Sequence, residues 1–191
     1  MSNNTNKIVN PMKVITGPNT RWSSANVWEP KSINGGTPKY SISLIIPKSD
    51  TITVAKIKAA IEAAYQEGQV KLRGNGRSVP PLAAIKTPLR DGDVERPDDP
   101  AYANSYFINA NSTTAPGIVD ADRNPVLTRS DVYSGVYGRA SINFYAFSSN
   151  GNKGIAVGLN NLQLLRAGEP LGGKASAESD FASESFDDFL A

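Results

Sequence analysis

A chain of 191 residues, 39% of them hydrophobic, can hold one domain with a sizeable core plus a tail, and is too apolar to be disordered throughout. It contains neither cysteine nor histidine, which excludes disulfides, thiol nucleophiles, thiolate zinc sites and every catalytic device that needs an imidazole. The net charge of +2 hides an asymmetry: residues 1–174 carry all 20 Lys and Arg against 13 acids, a balance of +7, while 175–191 carry five acids and no base. A basic body with an acidic end suggests a polyanion-binding surface and a segment that can compete for it, the plainer alternative being a solubilising tail.

The start, MSNNTNKIVN, has no apolar leader, and no stretch approaches the ~18 apolar residues of a membrane span, so a cytoplasmic protein is expected. MKVITG (12–17) and TRWSSANVW (20–28) read as strands on either side of a Gly-Pro-Asn turn. TPKYSISLIIPK follows, with Tyr40, Ile42, Leu44 and Ile46 alternating against Lys39, Ser41 and Ser43, the pattern of a half-buried strand. Gly35-Gly36 marks a hairpin between it and the strand containing Trp28. A helix is predicted over 49–68, capped by Ser49, Asp50 or Thr51, with Val54, Ile57, Ile61, Ala64 and Tyr65 on one stripe and Gly68 at its end. Residues 70–104 are dense in Pro, Gly and charge and read as long loops with a little helix.

Strands at 105–113 and 117–120 come next, the second closed by a turn at Asp122-Arg123-Asn124-Pro125. Two long strands, 135–149 and 153–166, are joined across Asn150-Gly151-Asn152, a strong hairpin signal. The apolar phase switches near Asn160-Asn161, which predicts a bulge. Beyond Leu171-Gly172-Gly173 the sequence turns to Ser, Ala and acid, too poor in apolar residues to repay its ordering entropy. Five to seven strands with one helix midway predict a mainly β protein, an OB-like five-stranded antiparallel barrel with its helix between the first three strands and the last pair. A β-sandwich is the alternative. The expected organisation is a domain over 1–173 and a disordered acidic tail over 174–191.

In the strand from Gly135 to Phe147, even positions are apolar, whereas odd positions set Tyr137, Tyr145 and Phe147 among Arg139, Ser141 and Asn143. Flat rings beside a guanidinium suit stacked bases and phosphates, unless the tyrosines only cover the sheet. Arg21 and Trp22 open another strand, and Lys31 and Lys39 flank its turn. Lys71, Arg73 and Arg77 surround Gly74-Asn75-Gly76 as a basic loop that Lys86 and Arg90 continue. Tyr106 and Phe107 are further candidate stacking rings.

Asp91, Asp93, Glu95, Asp98 and Asp99 could hold Mg²⁺ or Ca²⁺, and a metal-dependent nuclease built on them is the enzyme alternative. Their spacing completes no EF-hand loop and Arg90 and Arg96 interleave them, so no metal site or cofactor is assigned. Gly74-Asn75-Gly76 lacks the Lys-Ser/Thr of a phosphate loop.

VWEPK (27–31), KYSISLIIPKSD (39–50), LRDGDVER (89–96), YFINA (106–110), VYSGVYGRASINFYAF (132–147) and KGIAVGLNNLQLLRAGEPLGG (153–173) together resemble phage-encoded single-stranded-DNA-binding proteins. The likeness is to a tailed-phage group that includes an enterococcal phage member, and it spans about residues 8–173. It implies an OB barrel that binds without catalysis, in the cytoplasm of an infected bacterium. On that reading phosphates meet Arg21, Lys31, Lys39, Lys71, Arg73, Arg77 and Arg139. Bases stack on Trp22, Tyr137, Tyr145 and Tyr106 or Phe107. The acidic end is similar to the tails of single-strand binders, and here Asp187, Asp188, Phe189 and Leu190 would meet replication or recombination proteins of phage or host. It departs from the common bacterial Pro-Phe ending. Self-association is left open, and a structural or partner-binding phage protein whose tail is its only recognition element, with no DNA bound, is the second alternative to single-strand binding.

Overall fold

A computed structural model describes residues 10–171 apart from residue 33, so the expectations for the acidic tail fall outside the described residues. Its strands are β1 (Lys13–Ile15), β2 (Arg21–Lys31), β3 (Lys39–Pro47), β4 (Arg90–Asp91), β5 (Ser105–Ser112), β6 (Gly117–Val119), β7 (Tyr137–Ser149) and β8 (Asn152–Arg166). The helices are α1 (Thr51–Glu67), α2 (Gln69–Arg73) and the single turn α3 (Gly92–Glu95). The eighth strand, beyond the five to seven expected, is β4. Two residues pairing with Tyr106 and Phe107 are too short to leave a periodic signal.

Five strands close a ring. β2 pairs with β3, β3 with β5, β5 with β8, β8 with β7, and β7 returns to β2. Only the β5–β8 contact in this ring is parallel. Ring closure removes the open edges a sandwich would keep and gives the OB arrangement. β1 extends the sheet from β7 and β6 extends it from β8. α1 lies between the first three strands and the last pair, and among the ring strands it falls between the second and the third.

The helix forms where its stripe predicts. Asp50 caps it, accepting from the Thr53 amide at 3.1 Å and the Thr53 hydroxyl at 2.6 Å. Val54, Ile57, Ala60, Ile61 and Ala64 are buried against the barrel. Gly68 follows because space forbids anything larger: a Cβ there would stand 2.2 Å from the Ala146 Cβ.

The long hairpin shows the expected alternation. Val136, Ala140, Ile142, Phe144 and Ala146 are buried, while Arg139 and Tyr145 are exposed on the opposite face. Asn150 and Gly151 both adopt positive φ, 50° and 81°, as the right-handed twist of a two-residue hairpin requires. Asn160 is the predicted bulge, because Ser141 faces Asn161 while Ile142 faces Leu159. A second irregularity was not foreseen. Tyr137 faces Arg166 but Gly138 faces Leu164, so Leu165 is also extra. Each extra residue changes which side chains of β8 face outward.

Trp22 is 0% exposed, and its indole N–H donates to the Gly138 carbonyl at 3.1 Å. A smaller apolar cluster of Ile45, Tyr102 and Phe107 sits apart from the main core, with Leu171 packed against it. Tyr102 meets Phe107 edge to face at 5.2 Å.

Candidate nucleic-acid interface

The outward side chains of β7 form two stations rather than one platform. Tyr137 and Tyr145 stand eight residues apart on one strand, about 27 Å at the usual rise per residue. Tyr145, 42% exposed, is the ring best placed to take a base. With Met12, Val70, Lys71 and Asn143 it lines an open groove between the α1–α2 junction and β7. Tyr137 is half-buried, and its ring already carries two guanidiniums, Arg21 at 5.2 Å and Arg166 at 4.1 Å from its centroid. Arg139 lies between the stations, exposed, its Nε donating to Gln163 Oε1 at 2.8 Å.

Cations collect at the β7–β8 turn. Lys71 and Arg73 project from α2, and Arg77 follows in the adjoining loop. Lys153 Nζ reaches the Arg73 carbonyl at 3.5 Å. Lys86 pairs through its backbone with Lys153 and Ile155, and its Nζ donates to Asn152 Oδ1 at 3.4 Å. None of these five cations is among the ion pairs found in the described residues. A second concentration lies at the β2–β3 turn, where Lys31 and Lys39 are directly opposed, an unfavourable pairing that an anion would relieve.

Two expected stacking rings are core residues instead. Trp22 is fully buried and Phe107 is 1% exposed, so neither offers a face to a base. An aromatic in a strand reads alike from sequence whether it points in or out. Tyr106 is half-buried against the main core, with Lys48 and Lys58 at 5.2 and 5.8 Å from its ring centroid. Sequence reasoning missed Arg166 and Lys153, whose positions beside Tyr137 and Arg73 depend on cross-strand register and on the approach of the 70–90 segment.

The acidic run is engaged structurally. Lys48 bridges Asp91 at 2.9 Å and Asp93 at 2.8 Å, and Arg90 pairs with Glu95 at 3.1 Å. Asp99 caps the turn at Ala101. Its Lys48 partner and the Asn104 amide hold the Asp93 carboxyl below its usual range, and the same clasp raises Lys48. Asp93 therefore favours the fold above the ordinary carboxylate range, and that contribution fades as pH falls through its lowered value. Among the described residues no group of three or more acids is placed to hold a metal ion.

A closed five-stranded ring with a helix inserted along it places the chain among OB-fold barrels. It belongs to the family described as Enterobacter phage Enc34, ssDNA-binding protein, which it matches over residues 12–190. A protein designated p50 from Acyrthosiphon pisum secondary endosymbiont phage 1 is 33% identical over 171 residues, spanning 84% of this chain and 88% of its own length. The single-stranded DNA-binding protein from bacteriophage Enc34, solved in complex with ssDNA, superposes with a TM-score of 0.67 at 24% identity, over 84% of this chain and 90% of that one. Bacteriophage T7 gp2.5, a single-stranded DNA-binding protein, superposes with a TM-score of 0.60 at 14% identity, over 90% and 95% of the two chains.

Proposed function

We propose that this chain binds single-stranded DNA without sequence preference and without catalysis, coating strands exposed in phage replication and recombination inside the infected cell. The observation that carries the reading is the set of cations at the two hairpin turns, without carboxylate partners among the described residues, on a barrel of a single-strand-binding family. Lys31 and Lys39 at one turn, Lys71, Arg73 and Arg77 at the other, and Arg139 between the β7 stations neutralise successive phosphates, and Tyr145 stacks a base. Stacking tolerates any sequence because every base has a π-face.

Titration of a labelled oligo-dT across a salt series tests this. Each neutralised phosphate of a single strand contributes about 0.7 to the slope of log K against log salt. Full engagement of Arg21, Lys31, Lys39, Lys71, Arg73, Arg77, Lys86, Arg139 and Lys153 therefore gives a slope of about −6. A flat titration would overturn the electrostatic basis of the reading.

The acidic segment 174–191 is proposed as a tethered competitor. Five carboxylates held near basic stations imitate phosphates at high local concentration and lose to a long strand. Once displaced, Asp187, Asp188, Phe189 and Leu190 are offered to replication or recombination proteins. Removing 174–191 is expected to tighten DNA binding at low salt. Unchanged or weaker binding in a gel-shift series at low salt would count against the competitor.

A further inference from the structure

The Arg21–Tyr137–Arg166 group is built unlike an ordinary surface contact. Arg21 donates from Nε to the Gly135 carbonyl at 3.0 Å and from one terminal nitrogen to the Glu169 carbonyl at 2.6 Å. Arg166 donates from both terminal nitrogens to Asn19 Oδ1 at 3.3 Å. These anchors are neutral oxygens, so they fix each guanidinium without cancelling its charge. With five N–H donors on each side chain, three on each have no acceptor among the described residues.

Both guanidiniums also sit over one ring, so their charges lie within about 9 Å of each other. The ring quadrupole attracts each of them singly but leaves their mutual repulsion in place. Arg166 borders a cleft that also holds Asp120, Asp122 and Asp131. It forms no ion pair with any of the three, its head being turned to Tyr137 and Asn19 instead. Two fixed cations with free donors and no carboxylate partner among the described residues are suited to a tetrahedral oxyanion.

We propose that Arg21 and Arg166, spaced by Tyr137, form a seat for one backbone phosphate of single-stranded DNA, and that Arg166 is an affinity-determining contact. This rests on the single-strand-binding reading above and changes the part played by Tyr137. That ring holds two guanidiniums in place and is not a base platform. Base stacking then falls to Tyr145 at the far end of β7.

The experiment compares full-length wild type with Arg166→Gln and Arg166→Lys, using anisotropy of a labelled oligo-dT over a salt series, with thermal melting as a control for folding. Arg166→Gln is expected to weaken binding roughly fivefold at 0.1 M salt and to flatten the log–log slope by about 0.7, one phosphate's share. Arg166→Lys keeps the charge and should restore the slope while leaving affinity short of wild type, since lysine cannot keep the planar fork. Unaltered affinity and slope in a folded Arg166→Gln would overturn the seat, and so would weaker binding with the wild-type slope, the mark of a merely structural residue. A second measurement needs no substitution. The Arg166 Nε–H resonance of the wild-type chain should move on adding oligo-dT and hold still with thymidine, whereas no movement with oligo-dT would also overturn the seat. Failure of the wild-type chain to bind oligo-dT at all would instead sink the single-strand reading on which the seat rests.

Discussion

Neutralising Lys71, Arg73, Arg77, Lys86 and Lys153 together, each to glutamine, is expected to lower affinity for oligo-dT roughly three-thousandfold at 0.1 M salt. The figure follows from counterion release: at about 0.7 per phosphate, each contact is worth roughly fivefold at that salt, and five of them compound. The slope of log K against log salt should flatten by about 3.5. The fold should survive, because these are surface side chains whose removal buries nothing unpaired. Among the described residues the only hydrogen bonds lost from their heads are long ones, Lys153 to the Arg73 carbonyl at 3.5 Å and Lys86 to Asn152 at 3.4 Å. Melting within a few degrees of wild type with a collapsed salt series would assign the loss to binding. Affinity within threefold of wild type would mean that the DNA runs elsewhere on the barrel.

That arm was only half legible in the sequence. Lys71, Arg73 and Arg77 stand close together around two glycines, so their clustering is local and visible. Lys153 joins them only because the β7–β8 turn comes back beside α2, a contact between segments 80 residues apart. The barrel was legible for a related reason. Alternation along β3 and β7 and the Asn150-Gly151 turn are short-range signals with direct physical causes, and they determine most of the ring. Arg166 was not legible because its place depends on two bulges, and only Asn160 leaves a trace as a change of apolar phase. The second, at Leu165, lies in an apolar run where slipping by one residue exchanges one leucine for another. The rings were the hardest part. β2 opens Arg-Trp and β5 contains Tyr-Phe, and in each pair alternation puts one member inward without saying which. The answer came from the barrel interior, which takes Trp22, and from the 92–102 segment, whose Tyr102 closes over Phe107.

Trp22→Ala is the sharpest test of that assignment, with an expected loss of about 4 kcal/mol in stability, the range for emptying a buried aromatic site. The cavity would open against Gly138, whose missing side chain is what lets the indole lie there: a Cβ at 138 would come within 2.5 Å of the Trp22 ring. The Gly138 carbonyl would also lose its indole donor at 3.1 Å. For a domain of this size a loss of that order lowers Tm by roughly 8–16 °C, which a thermal melt followed by circular dichroism would show. Trp22→Phe separates the structural part from any contact with DNA. It keeps most of the ring volume and drops the N–H, so melting should fall by less while oligo-dT affinity, measured well below the transition, stays within twofold of wild type. If Trp22→Phe instead lost several-fold in affinity with its fold intact, the indole would have to reach the strand. The interior position that closes the barrel around it would then be wrong.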